Sequence, residues 1–152
     1  MNYIQATRAH ADDIYQLVQD TVTQIYPKYY SKEIVDFFCQ LHNQKNILKD
    51  IERGTVGMLM VDDRIIGTGS YDRNHITRVY VSPAFQRQGY GSYIMQVLED
   101  QIAPEYDTIY LDASLPAKHM YEKRGYVTQK QESMEVEQGA VLNYDVMQKV
   151  LL

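Results

Sequence analysis

The sequence predicts a mixed α/β domain built around one central sheet. Two observations carry that expectation. Apolar residues first recur at helical spacing, then switch near Thr55 to strand-like alternation, after which the two periodicities trade places to the end. No repeat, low-complexity tract or Pro/Gly/Ser-rich linker interrupts the 152 residues, a length that suits a single domain over 1–152 with a sizeable core.

The elements follow in order. Tyr3 to Ala6 is a short strand. Ile14, Leu17, Val18, Val22 and Ile25 make one face of an amphipathic helix that stops near Pro27. Ser31 is placed to cap a second helix carrying Ile34, Val35, Phe37, Phe38 and Leu41. A third helical stretch, Ile47 to Arg53, ends at Gly54. Thr55 to Val61 and Arg64 to Tyr71 read as a hairpin turning at Asp62-Asp63. Ile76 to Val81 is a further strand, stopped by Ser82-Pro83. A helix from Gly91 to Ile102, a strand from Thr108 to Leu111 and a short helix from Ala117 to Arg124 come next. Two last strands, Tyr126 to Val136 and Val141 to Val150, turn near Gly139.

Composition removes several functions. The net charge is -5, from 20 acidic against 15 basic residues, which argues against sequence-independent binding to nucleic acid. Apolar runs are too short to span a bilayer, and the N-terminus lacks a basic-then-apolar signal segment. One cysteine, Cys39, rules out an intramolecular disulfide and suits a cytoplasmic location. His10, His42 and His119 are scattered and form no metal-ligand pattern, so no metal is expected. The chain holds 14 tyrosines, 3 phenylalanines and no tryptophan.

The chemistry-bearing stretch runs from Val79 through Ser92, placing a strand, a glycine-bearing loop and a helix start in succession. Glycines let consecutive N–H groups turn toward one point, and a helix N-terminus adds its positive end, so the segment can cradle a phosphate or pyrophosphate. A Gly-Lys-Ser/Thr tripeptide is absent, and a third Rossmann glycine is replaced by Ile94. Gly89 and Gly91 alone fit an ordinary strand-to-helix turn equally well.

The flanking residues weigh against that plainer reading. Gln86-Arg87-Gln88-Gly89-Tyr90-Gly91 after Val-x-Val-x-Pro resembles the acyl-CoA signature Gln/Arg-x-x-Gly-x-Gly/Ala of the GNAT superfamily of N-acetyltransferases. Ala117 to Tyr126 is similar to the family's Ala-x-x-Phe/Leu-Tyr-x-x-x-Gly-Phe/Tyr segment. The likeness covers nearly the whole chain, is strongest from Ile76 to Tyr126 and is weak before Thr55. It implies a central mixed, mostly antiparallel sheet flanked by helices.

The resemblance also implies roles. Acetyl-CoA would be the cosubstrate, and a primary amine, first of all that of a small molecule, the acceptor. The strand Val79-Tyr80-Val81 would pair with the pantetheine arm through the backbone of Val79 and Val81, near an N–H that steadies an oxyanion. Main-chain N–H groups of Arg87, Gln88, Gly89, Tyr90, Gly91 and Ser92 would hold the pyrophosphate. Tyr121 takes the family's acid position, where a phenol can protonate the leaving thiolate. Ser114 stands where the family often has a cofactor-contacting Asn, and one hydroxyl replaces an amide there. The base is open among His75, Asp112, Asp72 and a water relay; His75 leads, because histidine titrates nearest neutrality. Tyr26, Tyr29 and Tyr30 flank Pro27 in the region that commonly walls the acceptor site, although packing of a helix connection accounts for them as well. A homodimer is an arrangement common among similar proteins. Two other activities compete: a CoA-binding module without turnover, and transfer to a peptide or protein amine.

Overall fold

The computed structural model describes residues 1–151. Twelve regular elements run in the order β1 (Asn2–Gln5), α1 (Ala11–Ile25), α2 (Lys32–Leu41), α3 (Gln44–Glu52), β2 (Val56–Val61), β3 (Arg64–Asp72), β4 (His75–Val81), α4 (Tyr90–Ile102), β5 (Thr108–Ala113), α5 (Leu115–Lys123), β6 (Val127–Glu135) and β7 (Val141–Val150). The periodicity places every one of them, and the ends shift for local reasons. Helix α3 starts three residues before Ile47 because the Asn43 side chain accepts a 2.8 Å bond from the Asn46 N–H. Helix α5 starts at Leu115 because Pro116 suits a first helical turn. Ser31 occupies the cap position of α2 in extended conformation, but its hydroxyl makes no cap bond. At the β2–β3 hairpin, Asp62 and Asp63 both take positive φ (50° and 63°), the primed-turn geometry that matches strand twist.

The strands form one seven-stranded sheet in the order β1-β2-β3-β4-β5-β7-β6. All neighbours are antiparallel except β4 and β5. That parallel pair touches only at His75↔Tyr110 and Ile76↔Leu111, so β4 and β5 diverge from Thr77 onward. The rest of β5 pairs fully with β7. A wedge therefore opens in the middle of the sheet.

Apolar layers cover both faces. On one, Ile94, Met95, Leu98 and Ile102 of α4 pack on Leu59, Ile66, Ile109, Leu111 and Met147. On the other, Ile14, Val18 and Val22 of α1 and Ile47 and Ile51 of α3 pack on Val56, Met58 and Tyr80. Close approach of α4 depends on β3 glycines. A Cβ on Gly69 would stand 2.6 Å from Ile94 Cγ2, 3.0 Å from the Tyr3 hydroxyl and 3.1 Å from Leu98 Cδ1. Ile94 is fully buried and cannot swing away, so Gly69→Ala is expected to destabilise the fold by about 1–3 kcal/mol. Urea unfolding with an unchanged m-value checks this.

Candidate active site

Strand β4 places the wedge's first wall. Ser82 N–H donates to the Ile66 carbonyl of β3 at 2.8 Å, and peptides alternate sides along a strand, so the N–H and C=O groups of Val79 and Val81 face away from β3 into the opening. The Val81 carbonyl accepts a 2.9 Å bond from the Gln86 side chain, which ties the following loop to the strand end. Tyr80 differs from its neighbours: its peptide faces β3, paired with Thr68, and it offers the site a side chain alone.

The loop after β4 is shaped for an anion. Arg87 and Gly89 both adopt left-handed φ (64° and 87°), and Gly89 stands at the N-cap of α4. The first internal bond of that helix is from Tyr93 N–H to the Gly89 carbonyl, at 3.0 Å. Among the described residues, the N–H groups of Arg87, Gln88, Gly89, Tyr90, Gly91 and Ser92 have no acceptor. Such a run of free donors at a helix start is a backbone nest that favours a phosphate. A Cβ on Gly89 would meet nothing within 4 Å, so the protein leaves this side of the loop open. Ser92 Oγ is engaged elsewhere: it accepts a 2.7 Å bond from Arg124.

A cavity of about 650 Å³ lies against the wedge, lined by Tyr26, Tyr30, Val79, Tyr80, Ser114 and Tyr121 together with α2 and α3 side chains. Tyr26 and Tyr30 come to one side of the turn after α1 because the Tyr30 N–H bonds the Tyr26 carbonyl at 2.9 Å. Tyr29, expected with them, lies outside the cavity. The same turn leaves it facing solvent at 48% exposure. The Tyr26 hydroxyl is 3.3 Å from that of Tyr80 and 3.2 Å from Ser114 Oγ; with one proton, it donates to one and accepts from the other. Tyr30 accepts a 2.7 Å bond from the Leu115 N–H, pinning the start of α5.

Tyr121, on α5, is buried against Tyr126 with ring centroids 5.9 Å apart. Its hydroxyl has no hydrogen-bond partner among the described residues, and it is not sealed from solvent, so it opens into the cavity it lines. Burial raises its pKa well above the usual tyrosine range, and neighbouring Tyr26 adds to the rise. The phenol is therefore a neutral O–H at any physiological pH.

Two of the proposed bases come together. His75 Nε2 is 3.5 Å from Asp112 Oδ2, and the imidazole stacks on Tyr110 at 4.3 Å and 4°. Both residues line the cavity. Asp72 does not, and pairs with Arg73 at 3.5 Å.

Sequence reading alone missed the buried polar layer beneath α2 and α3. Arg78 Nε donates to His42 Nδ1 at 3.1 Å, and its other nitrogens reach Asp50 Oδ2 at 3.0 Å and Ser70 Oγ at 3.4 Å. The signal was present: an arginine interrupts the apolar face of a central strand between Ile76 and Tyr80. Also missed was Arg124, which joins Ser92 to the buried Glu99.

The profile of the acetyltransferase (GNAT) domain matches residues 25–144. The uncharacterised N-acetyltransferase YafP of Escherichia coli K12 is 25% identical over 138 residues, covering 89% of each chain. A GCN5-related N-acetyltransferase structure from Rhodopseudomonas palustris superposes with a TM-score of 0.91 at 20% identity, covering 99% of this chain and 95% of that one. The yncA structure from Salmonella typhimurium, solved with its cofactor acetyl-CoA, gives 0.77 at 18% identity, covering 100% and 94%. With the fold matched end to end and the family profile spanning the wedge and its loop, the chain belongs to the GNAT acetyltransferases.

Proposed function

We propose that the protein transfers an acetyl group from acetyl-CoA to a primary amine of a small molecule by direct attack, with Tyr121 as general acid. The observation that carries this reading is the free Tyr121 hydroxyl facing the wedge whose β4 edge is unpaired. Acetyl-CoA supplies the activated acetyl group. The residues fit it: the free N–H groups from Arg87 to Ser92 suit a pyrophosphate, Arg87 adds charge, and the Val79 and Val81 peptides suit an extended amide arm. Ser114 contributes less than the family's amide, since its hydroxyl is taken by Tyr26.

His75, whose Nε2 lies 3.5 Å from Asp112 Oδ2, accepts the proton the attacking ammonium must lose. Tyr121 donates its hydrogen bond where negative charge builds on the departing sulfur. Its raised pKa keeps it protonated and limits it to partial transfer, and any proton it gives is recovered from the nitrogen that forms the amide. Tyr26 and Tyr30 wall the acceptor side. The cavity volume suits a small ligand, and the net charge of -5 attracts a cationic one.

The test is thiol release from acetyl-CoA with a panel of primary amines. Amine-dependent release, with thermal stabilisation by CoA exceeding that by ATP or NAD, is expected. Tight acetyl-CoA binding without turnover on any amine would leave only a CoA-binding module.

A further inference from the structure

The cavity has a polar end that the proposed chemistry does not use. His42 ends α2, and its backbone is fixed there: its N–H bonds the Phe38 carbonyl at 3.2 Å, and its carbonyl accepts from the Gln19 side chain at 3.1 Å. His42 is 5% exposed, and its ring stands T-shaped to that of Tyr80 with centroids 5.3 Å apart. Arg78 Nε, which can only donate, points at His42 Nδ1 from 3.1 Å. Nδ1 must therefore carry its lone pair, and the one ring proton sits on Nε2. Asp50 holds Arg78 in place from the far side at 3.0 Å. Burial, and the Arg78 charge, lower the His42 pKa to about 3, which agrees with a neutral ring.

Nε2–H has no acceptor among the described residues, and it is not closed off from solvent, while His42 lines the cavity. A fixed donor thus faces the acceptor space with nothing to bond. Around it the field is positive. Arg53 joins the same cluster through Asp50, which it shares with Arg78, and Lys49, which lines the same cavity, has no carboxylate within ion-pair reach among the described residues. The other cavity carboxylate, Asp112, stands with His75. Phe37, Phe38 and Tyr30 supply apolar wall beside these groups.

We infer that His42 is a substrate-binding residue whose Nε2–H receives a carboxylate on the acceptor, so that the acceptors are amines that also carry a carboxylate. This rests on the acetyltransferase reading above and narrows it to aminocarboxylates with an apolar body. The donor's direction is set by Asp50 and Arg78, which act as positioning residues.

The experiment compares matched acceptors, L-phenylalanine with 2-phenylethylamine and 6-aminohexanoate with n-pentylamine, in wild type, His42→Leu and His42→Gln. Using the ratio within each pair between proteins cancels the intrinsic reactivity of each amine. In at least one pair, His42→Leu is expected to lower the carboxylate-to-plain-amine ratio of kcat/KM about tenfold or more, through KM. His42→Gln, which keeps an acceptor and a donor, restores most of it. An unchanged ratio in His42→Leu overturns the assignment. Because that variant leaves Arg78 Nε without its acceptor, a second measurement uses the wild-type protein. Imidazole ¹⁵N spectra should show the Nε2–H tautomer and a shift of the His42 Nε2 signal on adding L-phenylalanine or 6-aminohexanoate but not their plain-amine partners. An Nδ1–H tautomer, or no such shift, rejects the inference. If no amine is acetylated, the acetyltransfer reading fails by itself, and the spectra still decide whether His42 takes a carboxylate.

Discussion

Tyr121→Phe is expected to lower kcat about a hundredfold while acetyl-CoA binding stays within about twofold of wild type. The substitution removes one oxygen from a ring that stays packed against Tyr126. That oxygen has no partner among the described residues, so its loss leaves no buried polar group stranded, and the melting temperature should hold. A rate loss at constant stability then reports chemistry. The pH profile gives an independent check. A raised pKa means the protonated, donating form persists upward through the neutral range, so Tyr121 contributes no fall in kcat below about pH 10, where an ordinary tyrosine ionises. Any limb near neutrality belongs to the group that takes the amine proton. Unchanged kcat in Tyr121→Phe would remove the residue from the mechanism.

The order and type of the elements could be read in the sequence because each is a local pattern. Ile14, Leu17, Val18 and Val22 mark a buried helix face whatever lies opposite, and all four are buried. The Gly89 turn is local too, since only its own φ must be satisfied. What escaped depends on contacts across the chain. His42 meets Arg78 across 36 positions, and Asp50 meets it across 28, so a histidine that looks scattered becomes a held donor only once α2, α3 and β4 are stacked. Likewise His75 and Asp112, competing bases in the sequence, are brought together by the short parallel contact between β4 and β5. Tyr29, grouped with Tyr26 and Tyr30 because all three flank Pro27, is set apart by the turn itself, which brings Tyr30 back over Tyr26 and leaves Tyr29 facing solvent.

Glu99→Ala should cost about 3–5 kcal/mol of stability and weaken acetyl-CoA binding with it. Glu99 is 4% exposed and accepts from Arg124 at 2.7 Å, Lys149 at 3.1 Å and Tyr126 at 2.9 Å, joining α4, the end of α5 and β7. Its removal strands two cations that are themselves mostly covered, which is the costly way to break such a cluster. Burial pushes the carboxyl pKa up, but the bonds from Arg124, Lys149 and Tyr126 outweigh it, and the pKa is lowered overall. A lowered folded-state pKa gives stability that is complete above the unfolded glutamate value, about 4.3, and is lost as pH falls through the folded value beneath it. Urea midpoints measured from neutrality into acid should therefore drop below about pH 4 in wild type, and Glu99→Gln should lack that component. The link to function runs through Arg124, which bonds Ser92 at 2.7 Å and Gln96 at 3.0 Å while it holds Glu99. One guanidinium thus ties the first turn of α4, where the free N–H groups converge, to the buried acid two turns later. With Glu99 gone, Arg124 keeps only its bonds to Ser92 and Gln96, and the brace over the cradle loses its buried, charged anchor. KM for acetyl-CoA should rise in Glu99→Ala more than KM for the amine, and equal rises would place the damage in general unfolding instead.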